Sequence, residues 1–130
     1  MKKLLLFTVC ALLFGVSNAN AQKPAHITFD RLVIDVGEFP ETSPVKSAIF
    51  NFKNTGEQPL VINQAVASCG CTVPEYSKQP IMPGKSGQIK VTYNGKNKFP
   101  GRFKKSVTVR TNGDQEVTRI YISGNMTAAK

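Results

Sequence analysis

Apolar side chains recur at every second position along most of this chain, and Gly, Pro and Asn break the pattern every few residues. Such segments can bury one face as strands but cannot present the stripe of a helix. Ile89, Val91 and Tyr93 alternate with Lys90 and Thr92, so one face is expected dry and the other wet. Ala48, Phe50 and Phe52 oppose Val45, Ser47 and Ile49 in the same way. Further strands are expected over residues 27–39, broken near Asp30-Arg31, and over 59–68, 103–111 and 117–123. Asn54-Thr55-Gly56-Glu57 reads as a turn, and Asn112-Gly113 is the strongest hairpin signal in the chain. Residues 74–87, rich in Pro, Gly, Ser and Lys, read as a loop crossing between sheets, and the tail 126–130 has little to bury. The expected fold class is all-β, an immunoglobulin-like β-sandwich of about seven strands. The absence of Trp and the adjacency of the cysteines set it apart from antibody domains with a disulfide between their sheets.

The first residues have the form of an export address. Lys2 and Lys3 precede an apolar run from Leu4 to Val16, and Ala19-Asn20-Ala21 supplies a small-x-small cleavage pattern. Residues 1–21 are therefore expected to be a signal peptide, with Cys10 discarded in it, and residues 22–130 a single domain. The apolar run is shorter than the roughly 20 residues a spanning helix needs, so no transmembrane segment is expected. The expected location is outside the cytoplasm, in the periplasm or on the outer surface.

After the leader, 15 Lys and Arg face 8 Asp and Glu, a net charge of +7. The excess is localised: no acid lies between Glu75 and Asp114, whereas Lys78, Lys85, Lys90, Lys96, Lys98, Arg102, Lys104, Lys105 and Arg110 do. A basic face built from Lys96, Lys98, Arg102, Lys104 and Lys105 would attract anionic partners. In an exported protein these are acidic envelope proteins, glycans or lipid headgroups rather than nucleic acid. The plainer reading is a solvated face that keeps the domain soluble.

Cys69-Gly70-Cys71 holds every cysteine that follows the leader. Residues two apart in a strand lie about 6.6 Å apart at a rise of about 3.3 Å per residue, at the upper end of the range a disulfide accepts. Gly70, without a β-carbon, permits the inward bend that a bridge would need. Four readings stand open: a local disulfide, a reduced buried pair, a thiol-disulfide exchange site, and a soft-metal site in which the two thiolates bind copper(I) or supply half of a zinc site. The spacing differs from the two-residue separation of thioredoxin-like motifs, and His26, Met82 and Met126 are the only further soft ligands after the leader.

Three patterns in order resemble domain-of-unknown-function family 1573. They are Phe52-Lys53-Asn54-Thr55-Gly56 with Pro59-Leu60-Val61-Ile62, then Ser68-Cys69-Gly70-Cys71-Thr72-Val73-Pro74, then Ile81-Met82-Pro83-Gly84 with Gly87-Gln88-Ile89-Lys90-Val91. The likeness continues through Gly101-Arg102-Phe103 and Thr111-Asn112. It implies an exported protein of the kind common in Bacteroidetes. It also implies an immunoglobulin-like fold related to interaction modules of larger eukaryotic assemblies, and it implies no particular activity.

Signatures of catalysis are missing. His26 is the only histidine, no Gly-x-Ser-x-Gly elbow exists, and Gly84-Lys85-Ser86 lacks the earlier glycine of a phosphate loop, since that position is Gln79. Asp35 with Glu38 and Asp114 with Glu116 fall at strand ends or turns, where solvated acids are ordinary. Phe99, Phe103, Tyr76 and Tyr121 could line a glycan groove, but aromatics at this spacing are the usual content of a sandwich core. The expectation is a non-catalytic binding or structural module of the cell envelope, without cofactor or metal. Its partner would be an envelope protein, such as part of a membrane complex, met through sheet edges or loops. The alternative is a redox or copper(I)-handling protein built on Cys69 and Cys71.

Overall fold

The computed structural model describes residues 22–129, so the leader reading for 1–21 lies outside the described residues. Eight strands follow in order: β1 (Ile27–Phe29), β2 (Val33–Pro40), β3 (Val45–Asn54), β4 (Ile62–Ala67), β5 (Thr72–Tyr76), β6 (Ser86–Asn94), β7 (Gly101–Thr111) and β8 (Val117–Thr127). They form two four-stranded sheets, β1-β3-β6-β5 and β2-β8-β7-β4. All neighbours are antiparallel except β2 and β8, which run parallel. No helix occurs among the described residues, and none is long and apolar enough to cross a membrane.

Alternation decides which residues meet between the sheets. The central strands supply most of the core: Ala48, Phe50 and Phe52 from β3 and Ile89, Val91 and Tyr93 from β6 face Val107 and Val109 from β7 and Ile120, Ile122 and Met126 from β8. Each large side chain buried this way stabilises the fold by about 1.5–3 kcal/mol relative to exposure. At one end of the core the Tyr93 and Phe103 rings stack with centroids 3.8 Å apart, and Phe39 meets both edge-on. Burial pushes the Tyr93 hydroxyl pKa upward.

Three expectations need correction. There are eight strands rather than seven, because Thr72–Tyr76 is a strand where the Pro-rich composition of residues 74–87 indicates a loop. It pairs with β6 on one side only, so Pro74, which has no N–H to give, is tolerated on its open side. The run 27–39 breaks at Asp30-Arg31 as expected, but its halves join different sheets. The tail is also better anchored than its composition indicates: Met126 is buried, and β8 continues to Thr127, paired with Pro40.

At the opposite end of the sandwich a buried asparagine organises the loops. Asn54 Oδ1 accepts the backbone N–H groups of His26 and Gly56, at 3.3 and 3.0 Å, while its Nδ2 donates to the carbonyls of Gln58 and Ile81, at 2.7 and 2.8 Å. Three separate segments are fixed by one side chain. Asn112 does similar work, accepting the Val61 N–H at 2.8 Å and donating to the Pro59 carbonyl at 3.0 Å. Gly56 and Gly113 let their turns close on residues 24–26: a β-carbon at Gly56 would overlap the Pro24 carbonyl oxygen, and one at Gly113 would lie 2.6 Å from the Ala25 oxygen.

Candidate functional site

The thiol corner joins the sheets. Cys69 and Cys71 lie in the short link from β4 in one sheet to β5 in the other, with Cα atoms 5.3 Å apart and the sulfurs joined as a disulfide. Thr72 is buried beneath them, its hydroxyl 3.6 Å from Cys69 Sγ and 3.7 Å from Cys71 Sγ, in position to donate to sulfur. The Asn94 N–H donates to the Cys71 carbonyl at 2.8 Å, which holds the corner against the end of β6. A cleft of about 400 Å³ opens beside it, lined by Gly70, Cys71, Asn94, Lys96, Asn97 and Lys98. No three His, Cys, Asp or Glu side chains gather as a metal-binding group among the described residues.

The five residues expected to share a basic face are divided by the fold. Lys96 and Lys98 sit in the β6–β7 loop at the thiol corner. Arg102 and Lys104 alternate onto the outer face of the second sheet, where Lys104 Nζ lies 4.8 Å from the Tyr121 ring centroid. Lys105 falls on the opposite alternation, between the positions of Phe103 and Val107, and is half-buried. The outer face gains Arg119 instead, because β7–β8 pairing places it opposite Thr108, two residues from Arg110. Arg119 lies outside the acid-free run of the sequence, and only the hairpin register set by Asn112-Gly113 could have pointed to it. Among the aromatics, Phe103 and Tyr76 pack against the core, while Phe99 is 95% exposed in the loop that carries Lys96 and Lys98.

Some of the acids have local partners. His26 Nδ1 lies 2.7 Å from Asp114 Oδ1, and the hydrogen bond from His26 holds the Asp114 carboxyl below its usual pKa. Asp35 accepts the Gly37 N–H at 2.7 Å within its own strand, so it shapes a bend. These arrangements support turns and termini, while Asp35 also shares the lining of one surface cleft with Asp30, Arg31 and Lys46.

A further surface escaped the sequence. β1 pairs with β3 only from Phe52 to Asn54, and the Asp30 N–H extends the ladder by one bond, to the Asn51 carbonyl at 3.0 Å. The chain then leaves for the other sheet. Bonds from the Asn54 N–H to the Lys85 carbonyl and from the Gly95 N–H to the Pro44 carbonyl fix even-numbered β3 residues toward β6. By alternation, the backbone N–H and C=O groups of Val45, Ser47 and Ile49 point to the open side, where no strand among the described residues pairs with them. Below this edge the seam between the sheets opens as a cleft of about 560 Å³, with Ile34, Val36, Ala48 and Phe50 lining it and Asp30, Arg31, Asp35 and Lys46 also contributing. The length mismatch between a three-residue β1 and a ten-residue β3 creates this opening.

The family model described as protein of unknown function (DUF1573) matches residues 27–126, from the start of the first strand into the last. The chain belongs to the DUF1573 family. No curated protein matches its sequence. Among solved structures, this DUF1573 chain is similar to a Porphyromonas gingivalis W83 protein of unknown function, with a TM-score of 0.68 and 14% identity, over 85% of this chain and 51% of that one. It thus spans about half the length of that protein. It is also similar to the ASH / PapD-like domain 7 of human CEP192, with a TM-score of 0.61, 10% identity, and coverage of 84% and 89%. The periplasmic chaperone SfaE matches with a TM-score of 0.56, 9% identity, and coverage of 81% and 59%. At these identities the likeness concerns the fold, an immunoglobulin-like sandwich of two four-stranded sheets similar to that of the PapD-like domain.

Proposed function

We propose that this protein is a non-catalytic binding module, exported to the cell envelope and working in the periplasm, that recognises a protein partner through a sheet edge. The observation that carries this reading is the open construction of the sandwich, which leaves part of a long central strand without a neighbour on one side. Unpaired backbone groups of this kind are a ready template for another chain. The likeness of the fold to a periplasmic chaperone and to a PapD-like domain supports a binding role. The sequence of residues 1–21 supports export.

The test uses the mature protein as bait in envelope extract of its source cell, with cross-linking before recovery. Repeated recovery of one envelope protein or complex is the expected result. Recovery of nothing, together with thiol-disulfide turnover or copper(I) binding that depends on Cys69 and Cys71, would overturn the reading in favour of thiol chemistry. Mass spectrometry with and without copper(I), under non-reducing conditions, separates those two thiol activities.

A further inference from the structure

The free edges of this sandwich are unequal, and the difference identifies one of them. On β5, the bond from the Asn94 N–H to the Cys71 carbonyl directs odd-numbered residues at β6, so residue 74 faces outward, and it is Pro74. β2 breaks register between Asp35 and Glu38, with Gly37 at φ 78°, and ends in Pro40. β4 is six residues long with a register break between Ile62 and Gln64. Proline, bulges, charge and shortness are the devices by which natural sheets refuse a further strand. The open stretch of β3 has neither proline nor register break, and Val45, Ser47 and Ile49 are uncharged. Its one charged residue, Lys46, is drawn aside, with Nζ 5.7 Å from the Phe39 ring centroid.

We propose that the β3 edge at Val45, Ser47 and Ile49 is a strand-acceptor site for an acidic, extended segment of a partner protein. This rests on the binding-module reading above and names its site and ligand chemistry. Hydrogen bonding to three consecutive outward residues requires an extended backbone. Side chains on one face of the added strand enter the cleft against Ile34, Val36, Ala48 and Phe50, so alternate positions are apolar. Charge selects between occupants. Within the cleft Asp30 and Asp35 balance Arg31 and Lys46, but the domain as a whole carries +7. Two copies meeting edge to edge would bring like charges together, whereas an acidic segment is attracted.

Ile49→Pro tests the site without removing a bond to β6, since the N–H it deletes points outward; Pro74 already occupies the equivalent kind of position on β5. The probe is a short synthetic peptide in which valine alternates with glutamate and threonine, with a lysine-for-glutamate version as control. Saturable binding that slows hydrogen exchange at the Ser47 and Ile49 amides is expected. Ile49→Pro should weaken it at least about tenfold, the effect of losing roughly one to two hydrogen bonds. Thermal unfolding reports whether the variant folds, and the exchange map on the natural protein decides the site if it does not. Protection at β4 or β5 instead, equal binding of the lysine peptide, or no saturable binding would overturn the proposal. An envelope partner recovered equally well by a folded Ile49→Pro protein would overturn this edge while leaving the binding-module reading intact.

Discussion

Asn54 is wholly buried, yet both polar atoms of its side chain are satisfied, and the groups that satisfy them belong to two loops and the segment leading into β1. Replacing it with leucine keeps the volume and leaves the His26 and Gly56 N–H groups and the Gln58 C=O without this partner, while the Ile81 C=O still accepts the Leu60 N–H. Asn54→Leu is expected to cost on the order of 3 kcal/mol, measured as a lowered urea midpoint. Asp114 yields a pH prediction. Its folded pKa is depressed, chiefly by the His26 hydrogen bond, so the stability it contributes is present above the unfolded carboxylate value and is lost as pH falls through the folded one. The stability difference between the natural protein and Asp114→Asn should therefore shrink as the solution is acidified below about pH 4, followed by urea unfolding across pH. The sequence marked Asn54 and Asn112 only as turn formers, because a single local signal serves both a residue that shapes its own turn and one that fastens distant segments.

Among the elements, the link between β4 and β5 shows how little a short covalent loop contributes to folding. A ring closed between residues 69 and 71 removes little freedom from the unfolded chain. Replacing both cysteines with serine should cost no more than about 2 kcal/mol and leave the sheet order unchanged, as read by denaturant unfolding and backbone chemical shifts. Central strands were legible in the sequence because they are buried on one face: Ala48-Phe50-Phe52 and Ile89-Val91-Tyr93 carry the alternation in full. Edge strands were harder. β5 contains a proline and, after Thr72, alternates exposed with half-buried side chains, and nothing local in Ile27-Thr28-Phe29 says that it stops short of its neighbour. The open side of β3 is a consequence of pairing, so it became visible only with the register.

For the molecule as a whole, the positive charge acts at a distance. Reversing Lys96, Lys98, Arg102 and Lys104 together should slow association with an acidic partner by at least about tenfold at low salt, with little change at high salt, as measured by stopped-flow mixing. Equal rates at low salt would show that the charge only maintains solubility. The acid-free run of the sequence located this charge roughly, but it could not show that Lys105 turns inward or that Arg119 joins the outer face, since both depend on how two strands align. Finally, the parallel pairing of β2 with β8 unites the beginning of the domain with its end. β8 is also an interior strand of its sheet, so neither layer of the core can be sealed until the last residues emerge. A chain that emerges amino end first therefore cannot close this core before β8 has followed the other strands.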